Sequence, residues 1–405
     1  MKHRMIGLLA ATALLLAGCS ATDSGAAGDP GEPIKIGASL PITGSLAAFG
    51  ELIENGYQAA VDDVNDDGGI EIDGVKHQVE LVVRDSTSDP NTVAEQSREL
   101  VLNEGVVGLL GSVSPPLTIP ASNVAERERV PLVATLTPLQ AWKAANPDGW
   151  TYAWDLFFDE GVMTDLQFKG SDLVDTNHKV ALFTDNEEDG ITMGDLWTTK
   201  APELGYEIAY HAEFPVGTTD YSSFIEAAKS TDADILIAQM IPPDAFALWK
   251  QMKALNFTPK LAFCEKCGAQ GAFQRELGPL AEGTATTDFW TRSENPEAAD
   301  LVKRFGEQYG ENLDLSSVII SYTAAQVLLD AIARAGSTDP ETINSAIAET
   351  AGEYPIGQEI TFDSDNSFAV NPTSVQWRGD TAVPVYSAAD GALGEWVVPV
   401  AGLTP

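Results

Sequence analysis

Histidine and cysteine, which often carry out acid–base, nucleophilic or metal chemistry, are rare in this chain of 405 residues. There are four histidines and three cysteines, and His3 lies in a segment that we interpret below as a leader. His77, His178 and His211 are not part of a serine elbow, a zinc motif or a phosphate-binding loop. We interpret them as surface or strand-end residues and predict no enzyme activity, no metal site and no cofactor. A pair of carboxylates, as in glycoside hydrolysis, stays open, although no spacing favours it.

Cys264 and Cys267 form a C-x-x-C motif. One such pair supplies only two metal ligands, and no helix of the thioredoxin type accompanies it. Outside the cytoplasm a short disulfide is the better interpretation, and free thiols are the alternative.

Hydroxyl side chains follow two of the predicted strands. Ser112 and Ser114 precede Pro115-Pro116, and proline is favoured in the first turn of a helix. Thr135 and Thr137 follow the next strand. Helix N-termini at such loops attract carboxylates, so these residues are candidates for binding an anionic group. The alternatives are that the serines are only N-caps and that the threonines are ordinary turn residues.

Short apolar runs alternate with helical periods from Ile34 onward, which predicts parallel sheets covered on both faces. In the first half, strands are predicted at Ile34–Leu40, Val79–Val83, Val106–Leu110 and Val130–Thr135, and in the second half at Lys179–Thr184, Tyr206–His211, Asp234–Gln239 and Pro259–Phe263. Long helices are predicted at Pro296–Tyr309 and Ser316–Ala335, followed by β-structure after Gly357. The fold class is therefore α/β, with two units of about 120 residues that exceed what one sheet accommodates.

The composition is that of a folded protein with a large acidic excess. Asp and Glu number 60 and Lys and Arg 23, giving a formal net charge of −37. Such a charge repels a phosphate backbone, so we predict no nucleic-acid partner. Hydrophobic residues make up 44% of the chain, which excludes wholesale disorder.

The N-terminus has the pattern of an export signal. Residues 1–18 combine early basic residues with an apolar run too short to span a bilayer, and Leu15–Cys19 is similar to a bacterial lipobox. We predict cleavage before Cys19, a lipid anchor on Cys19, and a flexible tether at residues 19–33. The mature protein would then be extracytoplasmic and anchored to the bacterial cell membrane. An ordinary secretory signal is the alternative.

Several segments taken together resemble a known family. They are Ile36–Ser45, Asn65–Ile70, Arg84–Pro90, Ala181–Asp185, Asp220–Phe224 and Asp232–Leu236. In order and spacing they are similar to the leucine/isoleucine/valine-binding type of periplasmic solute-binding protein, over roughly residues 34–400. The resemblance implies two Rossmann-like, doubly wound lobes joined by a three-stranded hinge. It divides the chain into lobe 1, residues 34–153 with 288–356, and lobe 2, residues 154–287 with 357–400.

The resemblance also implies where a ligand carboxylate would bind. In that family a serine-rich loop after the third strand and an Ala/Thr pair after the fourth hold this group, and the matching stretches are Gly111–Thr118 and Thr135–Pro138. This assigns Ser112, Ser114, Thr135 and Thr137 to the site. The sequence departs from the family at Pro115-Pro116-Leu117, which removes donors.

Other site residues follow from the same resemblance. Phe49 matches the aromatic residue that flanks the ligand, and Glu265 matches the acid that pairs with its ammonium group. Asp189 replaces a tyrosine, and Met240 or Ile241 replaces another aromatic residue. Asp189 lies near Asp185, Glu187 and Glu188, so we interpret it as part of a solvated acidic loop.

The alternative for Asp189 is contact with a cation in the cleft. Together with Glu265 it would then favour a ligand with more positive charge. Trp154 is the best tryptophan candidate for the cleft because it sits near the expected first crossover. Core or hinge packing is its alternative role.

These observations predict an extracytoplasmic substrate-binding lipoprotein of an ABC importer. Its partners would be a small solute, an amino acid with a branched or aromatic side chain or a related compound, and an ABC permease. We expect it to be a monomer. A ligand sensor of the same fold without a transport role is the alternative.

Overall fold

A computed structural model describes residues 31–269, 271–289, 296–309 and 315–404. The interpreted leader, Cys19 and nearly all of the predicted tether lie outside the described residues. The strands are β1 (Ile34–Leu40), β2 (Ile70–Ile72), β3 (Val75–His77), β4 (Val79–Asp85), β5 (Gly108–Leu110), β6 (Leu132–Ala134), β7 (Ala153–Phe157), β8 (Lys179–Asp185), β9 (Glu207–Phe214), β10 (Ile235–Gln239), β11 (Leu261–Glu265), β12 (Ala285–Asp288), β13 (Gly352–Tyr354), β14 (Gln358–Ile360), β15 (Ser367–Ala369), β16 (Thr373–Arg378), β17 (Thr381–Ser387) and β18 (Gly391–Ala392).

The α-helices lie between these strands. They are α1 (Ala47–Asp66), α2 (Pro90–Glu99), α3 (Ser114–Glu128), α4 (Leu139–Ala144), α5 (Glu160–Ser171), α6 (Glu188–Lys200), α7 (Ser222–Ser230), α8 (Pro242–Ala254), α9 (Gly271–Leu277), α10 (Pro296–Tyr309), α11 (Leu315–Ala335) and α12 (Pro340–Ala348).

The first sheet has the strand order β15-β7-β6-β5-β1-β4, and its pairings are parallel. The strands β5, β6 and β7 are buried along their whole length, as expected for a parallel sheet with both faces covered. Among the helices of this lobe, α1 packs against α11, α2 against α3, and α11 against α12. The carboxyl ends of these strands therefore meet at one edge of the first lobe.

Helix α11 is the core helix of the first lobe. Among the described helices it alone has the length and hydropathy that could cross a bilayer, and 83% of its most apolar stretch is buried inside the protein. It contacts α1, α12 and β6. Its apolar surface is thus accounted for by packing within the lobe.

The second sheet has the order β18-β17-β16-β12-β11-β10-β8-β9. Strands β8 to β12 pair in parallel, and β16, β17 and β18 add to the edge in antiparallel pairings. Helix α8 packs against α9, and α5 packs against α6, β16 and β17. Two further pairs, β2–β3 and β13–β14, are small antiparallel hairpins.

The chain passes between the two sheets at three places: from β7 to α5, after β12, and from β15 to β16. Strand pairing corrects two details of the division drawn from the sequence. Residues 154–157 belong to β7, and β15 pairs with β7, so both lie in the first sheet although the sequence division places them in lobe 2. All of β7 belongs to the first lobe, because the strand forms its backbone hydrogen bonds within the first sheet. The rest of the division stays a prediction.

Candidate functional site

A cavity of about 610 Å³, counted with its open mouth, lies between the carboxyl edges of the two sheets. From the first lobe it is lined by Phe49, Val113, Ser114, Leu136, Pro138, Phe157, Phe158, Ser316 and Ser317. From the second lobe and the crossover after β12 it is lined by Met163, Asp189, Gln239, Glu265, Lys266, Ala269, Thr286, Thr287 and Phe289. This is the position at which parallel α/β sheets bind ligands, because strand ends and helix N-termini converge there.

The apolar part of the lining is rich in aromatic rings. Phe158 and Phe289 are stacked, with ring centroids 5.0 Å apart and planes inclined by 7°. Phe157 contacts both rings, at 4.6 and 4.4 Å. Phe49, which the sequence predicted for the site, lies in the first turn of α1 and lines the same cavity. This wall can bury an apolar side chain of a small solute.

Ser112 and Ser114 differ in their relation to the cavity. Both hydroxyl oxygens are buried and have no hydrogen-bond partner in the part of the chain that the structure describes. Only Ser114, the first residue of α3, lines the cavity. Because Pro115 and Pro116 follow it and proline has no N–H, the Ser114 hydroxyl is the main donor at this helix terminus.

Thr135 and Thr137, which the resemblance assigns to the site, lie outside the cavity lining. The Thr135 hydroxyl donates to the carbonyl oxygen of Leu156 at 2.9 Å, and the Thr137 hydroxyl donates to the hydroxyl oxygen of Thr118 at 2.7 Å. Both threonines are completely buried. They stabilise the turn after β6, which is the alternative role the sequence left open.

Glu265 ends β11 and is 2% exposed. One carboxylate oxygen accepts a hydrogen bond from Nε2 of Gln167 at 2.7 Å, and the other accepts from the backbone N–H of Thr287 at 3.1 Å. Burial raises the pKa of Glu265 to about 7, although these hydrogen bonds act in the opposite direction. Its partners are neutral donors, so a cationic group of a ligand would be the first charge to balance this carboxylate.

Asp189 lies in the first turn of α6 and is 3% exposed, so the interpretation as a solvated acidic loop is wrong. Its carboxylate oxygens lie 3.2 and 3.3 Å from Nζ of Lys266. The same ammonium group lies 3.5 Å from Asp185 and also binds Glu187. The cation that Asp189 contacts therefore belongs to the protein itself.

Burial and charge act against each other in this cluster. Burial alone would lower the pKa of the Lys266 ammonium group, but Asp189, Asp185 and Glu187 raise it above its ordinary value. Burial raises the pKa of Asp185 to about 7, partly offset by Lys266. The structure places the acidic oxygens of Asp185, Glu187 and Asp189 within 4.8 Å of one another, and the lysine supplies the positive charge that a metal ion would otherwise bring.

Met240 and Trp154, which the sequence analysis assigns to the site, also lie outside the cavity lining. Met240 is completely buried in the apolar core of the second lobe, and its neighbour Gln239 lines the cavity instead. The indole N–H of Trp154 donates to Oδ1 of Asn344 at 2.8 Å, and its ring packs edge-on against Phe362. Trp154 therefore has the structural role that was its alternative.

The predicted disulfide between Cys264 and Cys267 is present. It closes a loop whose two central residues are Glu265 and Lys266, and Lys266 has the left-handed φ of 68°. A Cβ at Gly268 would lie 2.3 Å from the carbonyl oxygen of Cys264, so only glycine fits there. The loop thus fixes Glu265 and Lys266 relative to each other.

Lys266, Gln167, Phe157 and Phe158 are among the residues of the site that the sequence does not reveal. Lys266 stands in the quoted C-x-x-C motif, but its acidic partners are 77 to 81 positions away in the chain. Gln167 lies on α5, a helix that was not predicted although Asp159 is a good N-cap signal. Phe157 ends the strand β7, which the sequence analysis does not predict, and Phe158 follows it directly.

Comparisons with known proteins agree with this architecture. Residues 33–382 match the family model described as periplasmic binding protein. A Leu/Ile/Val-binding protein homolog 2 of Brucella abortus is 26% identical over 356 residues, which cover 85% of this chain and 90% of that protein.

Solved structures are similar as well. A leucine-binding protein, LivK, of Thermotoga maritima has a TM-score of 0.76 and 24% identity, over 87% of this chain and 98% of that one. LivJ of Streptococcus pneumoniae, solved with isoleucine, has a TM-score of 0.74 and 21% identity, over 91% and 100%. The two-lobed α/β fold predicted from the sequence is confirmed, and the family consists of substrate-binding proteins rather than enzymes. The chain belongs to the periplasmic binding proteins, in the type I group of the leucine/isoleucine/valine-binding proteins.

Proposed function

We propose that this protein binds an amino acid with a branched or aromatic side chain in the cavity between its lobes and delivers it to an ABC permease. The observation that carries the proposal is the composition of the cavity. It joins an aromatic wall, a free hydroxyl on Ser114 and an uncompensated buried carboxylate on Glu265. These groups complement the side chain, the carboxylate and the ammonium group of an amino acid, in that order.

The polar groups of the two lobes have complementary chemistry. The first lobe offers the Ser114 hydroxyl at the positive end of the dipole of α3, which suits an anion. The second lobe offers acceptors, namely Glu265 and Oε1 of Gln239, which has no partner among the described residues. A zwitterion touching both lobes would stabilise the closed arrangement, since each lobe alone binds only one of its charges. The isoleucine bound to the related LivJ is such a zwitterion.

A thermal-shift screen over the twenty amino acids, their amides, diamines and betaines tests the ligand class. A ligand that binds only the folded protein raises the melting temperature, by an amount that grows with its concentration over Kd. Titration calorimetry then measures Kd for the best compounds. We expect leucine, isoleucine, valine or phenylalanine to give micromolar affinity, about −8 kcal/mol. Binding only of compounds without both charges would contradict the proposal.

Membrane anchoring is a separate part of the proposal. We propose that Cys19 is the lipidated N-terminal residue of the mature protein and that residues 19–33 tether the lobes to the outer face of the cell membrane. The support is the lipobox-like Leu15–Cys19 and the apolar run before it. Labelling with a fatty-acid analogue should mark the wild-type protein and not Cys19→Ala, and the variant should be released from the membrane fraction.

Delivery to a permease is tested by uptake. Deleting the gene should abolish high-affinity uptake of the ligand found in the screen, and restoring the gene should recover it. Unchanged uptake together with a lost transcriptional response to the ligand would favour the sensor function instead.

A further inference from the structure

Lys266 has an unusual position for a lysine. Its side chain is 6% exposed, it lines the cavity, and its ammonium group contacts Asp185, Glu187 and Asp189. Of its three N–H donors, two are directed to Glu187 and Asp189, and Asp185 lies at ion-pair distance, 3.5 Å from Nζ. Lys266 therefore has little left to offer to a bound ligand directly.

The effect of Lys266 on the ligand is electrostatic. Asp189 and Glu265 both line the cavity, and without a counter-ion both would attract cations. The contact with Lys266 offsets the charge of Asp189, whereas the partners of Glu265 within the described residues are neutral, namely the Gln167 amide and the backbone N–H of Thr287. Of the two carboxylates that line the cavity, Asp189 therefore has a charged partner within the protein, which it shares with Asp185 and Glu187, and Glu265 has neutral partners.

We propose that Lys266 is a specificity-determining residue, an internal counter-ion to Asp189 that tunes the cavity to solutes with one ammonium group balanced by one carboxylate. This inference rests on the proposed function. Removing the lysine leaves additional negative charge beside the ligand and favours amines that lack a carboxylate. Removing the Asp189 charge makes the cavity less negative and favours acids that lack an amine.

Other contacts of the loop around Lys266 hold its backbone in one position. The disulfide between Cys264 and Cys267 encloses Lys266, and the indole N–H of Trp377 donates to the carbonyl oxygen of Gly268 at 2.7 Å. The ammonium group is therefore held near Asp189 by the backbone of its own loop. A flexible surface lysine would not give such discrimination, because its charge is screened and mobile.

The test uses ligands that share one apolar group and differ in charge. For an aromatic preference these are phenylalanine, 2-phenylethylamine and 3-phenylpropanoate. For a branched preference they are leucine, 3-methylbutylamine and 4-methylpentanoate. Kd values are measured by calorimetry at pH 8 for the wild type, Lys266→Met and Asp189→Asn. Lys200→Met is the matched control, because it breaks another partly buried ion pair, to Asp165 at 2.7 Å, outside the cavity lining.

We expect Lys266→Met to raise the affinity for the amine relative to the amino acid by about tenfold, and Asp189→Asn to raise that for the acid by a similar factor. Lys200→Met should change neither ratio. Ratios within twofold of wild type in folded Lys266→Met or Asp189→Asn would overturn the inference. Should Lys266→Met not fold, Asp189→Asn alone decides it. If the wild type binds none of the amino acids, it is the proposed function that fails.

Discussion

The two sides of the cavity lining, the first wall from the first lobe and the second wall from the second lobe, differ in the partners of their polar side chains. On the first-lobe side the lining is mostly apolar, and the buried Ser114 hydroxyl there has no protein partner among the described residues. On the second-lobe side three charged side chains, Asp189, Glu265 and Lys266, line the cavity, and each has hydrogen-bond or ion-pair partners. The first wall thus leaves a buried donor without a partner, whereas the second wall gives each of its charged side chains partners within the protein.

The difference reflects the cost of burying each kind of group. An unpartnered buried hydroxyl costs about 1–3 kcal/mol, which a folded domain tolerates and a ligand can recover. An unpaired buried charge costs several kcal/mol more, so the second wall needs internal partners even without a ligand. We expect first-wall substitutions to change affinity with little effect on folding. Second-wall substitutions should change affinity, charge selectivity and pH dependence together.

The largest effect is expected from Glu265→Gln. The substitution keeps the shape and removes the charge that would meet the ligand ammonium group, so affinity should fall by about 30-fold, as for a lost charge-assisted hydrogen bond. Titration calorimetry with the best amino acid measures it.

Glu160→Gln is the matched control for this substitution. Glu160 is also buried, accepts two backbone hydrogen bonds at the start of α4, and has a pKa raised to about 7 by burial, but it does not line the cavity. Its substitution should leave affinity within twofold. An equal loss of affinity in both variants would show that Glu265 acts through folding rather than through ligand contact.

The aromatic wall gives the next effect. Phe158→Ala removes a ring that is 4% exposed and stacked on Phe289, so we expect a loss of about 3 kcal/mol in the free energy of unfolding and about tenfold in affinity. Phe168→Ala is the comparison, because Phe168 is equally buried but packs against Tyr206 in the second lobe. It should lose similar stability and keep its affinity. Denaturant unfolding and calorimetry separate the two quantities.

A substantial part of this architecture could be predicted from the sequence. The bounds of β1 were predicted correctly because a short segment rich in apolar residues, Ile34–Leu40, lies between Pro33 and Pro41. The start of α2 followed from Asp89-Pro90, and the Asp89 carboxylate indeed accepts a hydrogen bond from the N–H of Thr92. Local signals of this kind act within a few residues, and the chain records them directly.

The charge pairing of the second wall could not be predicted in the same way. Asp189 was assigned to solvent because its sequence neighbours are acidic, whereas Lys266 reaches it only after β10 and β11 form the sheet. Likewise the sequence analysis assigns Met240 to the site, whereas its neighbour Gln239 lines the cavity. The sequence does not show which of two adjacent residues at the end of a strand points into the core. Which charged side chains form ion pairs, and which side chains face the cavity, is decided by the tertiary structure.

The charged wall should make binding depend on pH. With a pKa of about 7 in the free protein, Glu265 is largely protonated at pH 6, and binding an ammonium group favours its ionised form. Binding at pH 6 should therefore release up to about one proton, and affinity should rise by at most about tenfold between pH 6 and pH 8. Calorimetry in buffers with different ionisation enthalpies measures the release, and Glu265→Gln should abolish it.

As pH rises, the free energy of unfolding of the ligand-free protein should fall, whereas the affinity for the ligand should rise. Glu160, Asp185 and Glu265 all have a pKa of about 7 in the folded protein because they are buried, well above the ordinary values in an unfolded chain. Between about pH 4.5 and 7 the folded state holds protons that the unfolded state has lost, so these groups make the free energy of unfolding fall as pH rises. Denaturation without ligand at pH 5.5 and 7.5 checks the sign, and Glu265→Gln should reduce the slope.

The smallest effect is expected on the first wall, where Ser114→Ala tests the free donor. The hydroxyl has no partner among the described residues, so its loss should leave the melting temperature unchanged or raise it slightly, while affinity falls about fivefold. Ser112→Ala is a close control, since its hydroxyl is equally buried and unpartnered but does not line the cavity. Equal affinities for wild type and Ser114→Ala would remove the donor from the site, and the carboxylate would then have to be held by other first-wall groups.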